Sequence, residues 1–215
     1  MVKPRLTGCQ GVLDGADSRD PASWFSAWEY FISGLTPGHG GTTIIMLVRY
    51  GWRWQPPPKE GEMALSVSSS VFGEGDMIPA RYTCQGQDVS PPLAWSEVPA
   101  GTQSLALIMD DPDAPVGVFS HWVIFNIPAT SPGLSEAVPA QAQLPGGALQ
   151  GKNDFGRIGY GGPCPPPGRP HRYQFTVYAL DSPLDLKAGA AKGQVLDAVP
   201  GHVLAQGRLS GRYQR

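Results

Sequence analysis

From Met63 onward the chain is a succession of short apolar runs cut by glycine or proline, at roughly the eight-to-twelve-residue spacing of strands joined by turns. Ala64-Leu65-Ser66-Val67-Ser68 alternates with period two, the pattern of a strand with one face buried. Leu105-Ala106-Leu107-Ile108-Met109 is continuously apolar and suits a strand covered on both faces. His121 to Ile127 and His171 to Leu180 are rich in β-branched and aromatic residues and flanked by turn formers, which adds two more strands. The helical pattern is confined to the end of the chain. Ala188 to Val199 predicts a helix with Leu196 and Val199 facing inward and Pro200-Gly201 as its stop, and His202 to Leu209 predicts a second short one. Strands first and helices last predict an all-β fold with peripheral helices: a two-sheet antiparallel sandwich with short C-terminal helices packed at one side.

Residues 1–62 read differently. Four of the six tryptophans (Trp24, Trp28, Trp52 and Trp54) lie there, among loops, one short apolar run and the polyproline tract Gln55-Pro56-Pro57-Pro58-Lys59-Glu60-Gly61-Glu62, a linker composition. Asp20-Pro21-Ala22-Ser23 can open a short helix that puts Trp24, Phe25, Trp28 and Phe31 roughly on one side. We read 1–62 as a poorly ordered or non-native extension and 63–215 as a self-contained domain begun at Met63. A helical arm docking its aromatics on that domain is the alternative.

Composition narrows the function. With 28 Gly and 23 Pro the chain is poor in helix formers, and a formal net charge of −2 gives no electrostatic reason to expect nucleic acid or an acidic membrane as partner. The run Ile44-Ile45-Met46-Leu47-Val48 is far shorter than the roughly 20 residues of a membrane span. Met1 to Gln10 lacks the layout of a secretory signal, so a cytoplasmic location is expected. Cys9, Cys84 and Cys164 form no C-x-x-C pair; we expect Cys84 and Cys164 as separate thiols, a disulfide between them being the reading that would point to an exported form.

Two stretches carry chemistry. Asp110-Asp111-Pro112-Asp113-Ala114-Pro115 crowds three carboxylates at the end of a strand. By itself this is a turn composition, but the next strand begins at His121, and a hairpin would bring that imidazole back towards the carboxylates. The second stretch is Gly159-Tyr160-Gly161-Gly162-Pro163-Cys164-Pro165-Pro166-Pro167-Gly168-Arg169-Pro170-His171-Arg172-Tyr173. Its glycines can present backbone N–H groups to a phosphate and its prolines fix the loop. Side-chain alternation puts His171 and Tyr173 on one face of the strand that follows and Arg172 on the other, where an ion pair with a carboxylate such as Asp113 is expected. A carboxylate for an ammonium, with His, Tyr and glycine N–H groups for a phosphate, suits a small anionic or zwitterionic ligand. The same His-His-Asp set could hold zinc, but no short metal-ligand spacing is present, and no cofactor is expected. There is no G-x-S-x-G elbow, and Ser120 and His121 would point to opposite faces. We therefore expect binding without catalysis. A module that inhibits a partner kinase or protease is the alternative, followed by a weak phosphoester hydrolase using His and Asp as acid and base. A homodimer is left open.

The order D-P-D-A-P, H-W-V-I-F-N, G-Y-G-G-P-C-P-P-P-G-x-x-H-R-Y resembles the phosphatidylethanolamine-binding protein family, specifically its bacterial and archaeal Raf kinase inhibitor-like branch. The likeness takes in Ser90-Pro91-Pro92-Leu93-Ala94-Trp95, Val98-Pro99-Ala100-Gly101-Thr102 and Gly211-Arg212-Tyr213-Gln214-Arg215, and does not extend to residues 1–62. It implies a two-sheet antiparallel fold with an anion pocket at one end. Asp111, His121, His171 and Tyr173 would be pocket residues, Pro112, Gly161, Gly162 and Pro163 would shape the wall, and Asp113 and Arg172 would support it. Phospholipid head groups, kinase regulation and flowering signals belong to eukaryotic members, and the kinase-inhibitor role does not transfer with the resemblance.

Overall fold

The computed structural model describes residues 65–215. The expectations placed on residues 1–62, the tryptophan-bearing helix, the proline linker and the start at Met63 lie outside the described residues. The described strands are β1 (Ser66–Ser68), β2 (Leu93–Ser96), β3 (Ser104–Asp111), β4 (Phe119–Pro128), β5 (Gly133–Leu134), β6 (Leu149–Gln150), β7 (His171–Leu180) and β8 (Val203–Tyr213). They form a three-stranded sheet, β1-β2-β5, and a five-stranded sheet, β6-β4-β3-β7-β8, both antiparallel. This is the two-sheet architecture expected from the pattern.

The continuous apolar run of β3 has its cause in the layers on either side of it. Leu105, Leu107 and Met109 point into the core between the sheets, with Leu93, Trp95, Trp122, Phe175 and Val177. Ala106 and Ile108 point the other way, into a second core with Val123, Phe125, Leu184 and Val195. A central strand buried on both faces has no polar alternation to display.

The second core is closed by the helix α1 (Lys192–Ala198), shorter than the predicted 188–199. Seven residues cannot hold a helix alone in water, where about 12–15 are marginal. Packing holds it. Val195 is fully buried, a gain of about 1.5–3 kcal/mol, and Lys192 Nζ reaches Asp110 Oδ2 at 2.7 Å. Gln194 Oε1 accepts from Ala191 N–H at the start, and Gly201, at φ 92°, takes the left-handed turn after the end.

The second predicted helix does not exist. His202 to Leu209 enters β8, which pairs with β7 from Leu180↔Val203 to His171↔Tyr213. The inward positions of β8 are Ala205, Gly207, Leu209, Gly211 and Tyr213. Two glycines among five inward residues hide the alternation, and they are there because the other chain segments come too close for a side chain. A Cβ on Gly207 would stand 1.9 Å from the Leu65 carbonyl oxygen, and one on Gly211 2.5 Å from Ile78.

Candidate functional site

The C-terminal end of β3 and the N-terminal ends of β4 and β7 converge at one edge of the large sheet, where the segments 112–118 and 151–170 cover them. They enclose a cavity of about 200 Å³ lined by Asp111, Ala114, Pro115, Val116, Phe119, His121, Phe155, Cys164, Pro165, Pro166, His171 and Tyr173. Four sequence-predicted residues, Asp111, His121, His171 and Tyr173, are thus brought together, each at most 4% exposed. Pro112, Gly161, Gly162 and Pro163 lie outside that lining, behind it.

His121 is placed by a β-bulge. Met109 pairs with Trp122 and Asp110 with Ser120, so His121 is the extra residue of β4. A bulge breaks the alternation and re-aims a side chain: Ser120 keeps register with Asp110 while His121 turns to the cavity beside Tyr173, ring centroids 5.2 Å apart. The hairpin does bring the imidazole into one cavity with Asp111, but it makes no hydrogen bond to the carboxylates. Its Nδ1–H donates to the Gly161 carbonyl at 2.7 Å, and Phe119 and Phe155 pack edge-on against it at 5.3 and 5.2 Å. Burial lowers the His121 pKa, opposed by the bond to Gly161.

The carboxylate belongs to His171 instead. Asp111 Oδ2 accepts from His171 Nδ1–H at 2.8 Å, and Asp111 Oδ1 accepts the backbone N–H of Asp113 at 2.8 Å. Each oxygen takes one bond and the group is almost sealed, so Asp111 orients an imidazole at the cavity wall. On both histidines Nδ1 carries the proton into the protein, which leaves each Nε2 without a partner among the described residues. The third polar group is the Tyr173 hydroxyl, buried and without a hydrogen-bond partner. Asp111 and the Cys164 backbone N–H lie near enough to act on its acidity, yet neither meets it in hydrogen-bonding geometry. Burial first, and then Asp111, push the phenol far above its ordinary pKa, so it stays a donor.

The glycine loop serves a different purpose from the one its sequence suggested. Gly161 N–H donates to the His121 carbonyl and Gly162 N–H to Asp88 Oδ1, so neither is presented to a ligand. The glycines permit close packing: a Cβ on Gly161 would strike the Phe155 ring at 2.6 Å, and one on Gly162 would meet Asp88 Oδ1 and the Tyr82 carbonyl at the same distance. Asp88 also holds Arg157, whose guanidinium lies 5.4 Å from the Phe155 ring centre. On the other face of β7, Arg172 makes the expected pair with Asp113, Nε and Nη2 bonding the two carboxylate oxygens at 2.8 and 2.7 Å. This pairing lowers the Asp113 pKa.

Cys84 and Cys164, expected as separate thiols, are joined in a disulfide with their Cα atoms 5.4 Å apart. The 3-10 turn Ala80–Tyr82 brings Cys84 beside the glycine loop, where its N–H donates to the Pro163 carbonyl. Eighty residues separate the two in sequence, so no local spacing announces the bond. Phe119, at the start of β4, and Phe155, Pro115, Val116, Pro165 and Pro166, in the loops, are cavity residues that sequence reasoning missed, because apolar side chains carry no site signal of their own. Among the described residues no three His, Cys, Asp or Glu side chains stand close enough to hold a metal ion, and no helix is long and apolar enough to cross a membrane.

Comparison with known proteins agrees with this fold. The family model "Phosphatidylethanolamine-binding protein" matches residues 68–214. A UPF0098 protein of Methanothermobacter thermautotrophicus is 54% identical over 151 residues, 70% of this chain and 99% of the relative. One from Pyrococcus horikoshii is 49% identical over 159 residues, 73% and 79% of the two chains. The solved phosphatidylethanolamine-binding protein homologue of Chlamydia trachomatis superposes with a TM-score of 0.65 at 41% identity, covering 71% of this chain and 99% of that one. Escherichia coli YbcL, described as a member of the mammalian PEBP family, gives 0.66 at 35% identity, covering 70% and 98%. With a match that runs from the last residue of β1 through β8 and relatives of this identity, the chain belongs to the phosphatidylethanolamine-binding protein family.

Proposed function

We propose that the cavity binds a small phosphate-bearing or zwitterionic ligand, such as a phospholipid head group or a nucleotide-like phosphate, and does no chemistry on it. One observation carries the reading: the buried Tyr173 hydroxyl has no protein partner, and the free Nε2 atoms of two imidazoles belong to the same 200 Å³ cavity. An unmade hydrogen bond in a buried site costs about 1–3 kcal/mol, and a ligand oxygen makes it good. The volume suits a head group and not a whole lipid. No Lys or Arg lines the cavity, so an anion's charge is best balanced by a cation on the ligand itself, as in a zwitterion. A binding role is favoured over hydrolysis because no Ser, Thr or Lys lines the cavity as a nucleophile and the one lining cysteine is oxidised. The disulfide also favours an oxidising compartment over the cytoplasm.

A second reading, regulation of a partner enzyme, has one observation in its favour: Val116, Val118 and Phe155, at 84%, 57% and 44% exposure, are three of the large apolar side chains left in water, and all three sit at or beside the cavity. The first reading is tested by calorimetry with phosphorylethanolamine and inorganic phosphate against the parent and the variants Tyr173→Phe and His121→Asn. Loss of binding by folded variants supports it; variants that bind like the parent rule it out.

A further inference from the structure

The bonds that hold the pocket loop are unevenly spread along it. Up to Pro163 it is tied on several sides: Tyr160 Oη donates to the Tyr82 carbonyl, Gly161 N–H to the His121 carbonyl, Gly162 N–H to Asp88, and Pro163 O accepts from Cys84 N–H. From Cys164 to Pro170 the described hydrogen bonds thin out, and of these residues Pro165 alone is buried. Gly168 O accepts from Gln214 Nε2, Arg215 Nη1 stands 3.5 Å from Cys164 Sγ, and the disulfide to Cys84 is the covalent anchor. Pro165, Pro166 and Pro167 have no N–H with which to add to this. Yet Cys164, Pro165 and Pro166 form one wall of the cavity. The anchor is within reach of solvent, since Cys84 is exposed and Cys164 half-buried.

We propose that the Cys84–Cys164 disulfide is a thiol-exchange site, open to a dithiol reductant, whose state determines whether the Cys164–Pro166 wall of the ligand pocket is held in place. The geometry gives the exchange a direction. A thiolate of the dithiol attacks Sγ of Cys84, the more exposed of the two residues, the Cys84–Cys164 bond breaks, and the electron pair leaves with Cys164 Sγ beside the Arg215 guanidinium, a cation that favours a thiolate leaving group. The second thiol of the reductant then attacks the mixed disulfide and releases Cys84. The reductant ends as its own disulfide, two electrons have passed to the protein, and the two protons of the dithiol end on the cysteines or in solvent. Reduction leaves the ties of Tyr160 to Pro163 in place, so His121 keeps its carbonyl partner while the wall opposite comes loose.

The effect on affinity rests on the ligand reading above; the exchange site itself does not. In the full chain carrying Cys9→Ser, which leaves this one pair, dithiothreitol adds two hydrogens by mass without loss of the near-ultraviolet dichroism of the folded domain. The backbone order parameters then fall from about 0.85 to below about 0.6 at Cys164, Gly168 and Arg169 and stay nearly constant at Gly161 and Gly162. Phosphorylethanolamine affinity falls about fivefold and returns on reoxidation, because a wall no longer held must be ordered by the ligand. The double variant Cys84→Ser/Cys164→Ser behaves as the reduced form with or without dithiothreitol. A bond that resists the dithiol in the folded protein, an unchanged or uniform order-parameter pattern, or an affinity indifferent to reduction overturns the proposal. If the oxidised protein binds neither phosphorylethanolamine nor inorganic phosphate, the ligand reading fails, and the order-parameter pattern alone decides the site: a fall confined to Cys164–Arg169 upholds it and any other pattern removes it.

Discussion

Asp111 and His171 form a buried pair, Oδ2 to Nδ1 at 2.8 Å, and the second oxygen of the same carboxylate accepts the backbone N–H of Asp113. One side chain therefore fixes both the tautomer of a pocket imidazole and the turn that carries the Asp113–Arg172 ion pair. Asp111→Asn keeps the shape but has only one acceptor oxygen for two donors. Its amide NH₂ must face either His171 Nδ1–H or Asp113 N–H. We expect a stability loss of about 1–3 kcal/mol in denaturant titration. Phosphorylethanolamine affinity should drop about tenfold in calorimetry, the size of one charge-assisted hydrogen bond. A variant as stable and as tight-binding as the parent contradicts this role for Asp111.

Tyr173→Phe separates stability from binding. The hydroxyl is buried and unpartnered, so its removal leaves no orphaned group on the protein. Stability should be unchanged or higher by up to about 1 kcal/mol, against the usual loss for a core substitution. Ligand affinity should fall by about tenfold or more, because the donor that the cavity offers is gone. Thermal melting with and without inorganic phosphate checks both, the parent gaining melting temperature with the anion and the variant not.

His121 makes stability depend on pH. Burial lowers its pKa in the folded state, so below about 6.5, the ordinary histidine value, the unfolded chain takes up a proton that the folded chain refuses. Its contribution is present above that pH and is lost as the pH falls towards the depressed folded value. The charged groups around it are Asp111 and Asp110 on β3, with His171 across the cavity and Arg157 behind Phe155. His121→Asn keeps a donor for the Gly161 carbonyl and cannot titrate. The stability gap between parent and His121→Asn, measured from pH 7.5 to 5, should therefore narrow on acidification. A gap that stays constant removes His121 as the cause.

How far these features could be read in advance followed from how local their causes are. β3, β4 and β7 were legible because large β-branched and aromatic residues fill them, and His171, Tyr173 and Arg172 could be assigned to opposite faces from alternation alone. β8 was not, because its inward positions include Gly207 and Gly211, whose reason for being glycine lies in Leu65 and Ile78, more than a hundred residues away. The partner of Asp111 was missed for a related cause. The bulge at His121 and the register of β7 against β3 decide which imidazole meets the carboxylate, and neither leaves a mark in either segment. Loop glycines likewise look the same in sequence whether they offer N–H groups outward or spend them on Asp88 and His121.

The same reasoning predicts opposite outcomes for one substitution at two glycines. At Gly207 a methyl group would stand 1.9 Å from the Leu65 carbonyl oxygen and 2.9 Å from a Val67 methyl, and a backbone oxygen cannot swing aside as a flexible side chain can. Gly207→Ala must push β8 away from the segment leading into β1, at about 3 kcal/mol or more, the upper range of overpacking. At Gly193, in the first turn of α1, a Cβ meets nothing within 4 Å and the backbone is not in the left-handed region. Gly193→Ala there restricts the unfolded chain without new contacts in the folded one, for a gain of about 0.4–1 kcal/mol. In thermal unfolding the two variants should move apart, Gly193→Ala upward by about 1–4 °C and Gly207→Ala downward by about 6 °C or more. If both fall together, α1 is not the regular, open helix on which the gain depends; if neither falls, the close approach of β8 to Leu65 is relieved by a shift too cheap to define the sheet spacing.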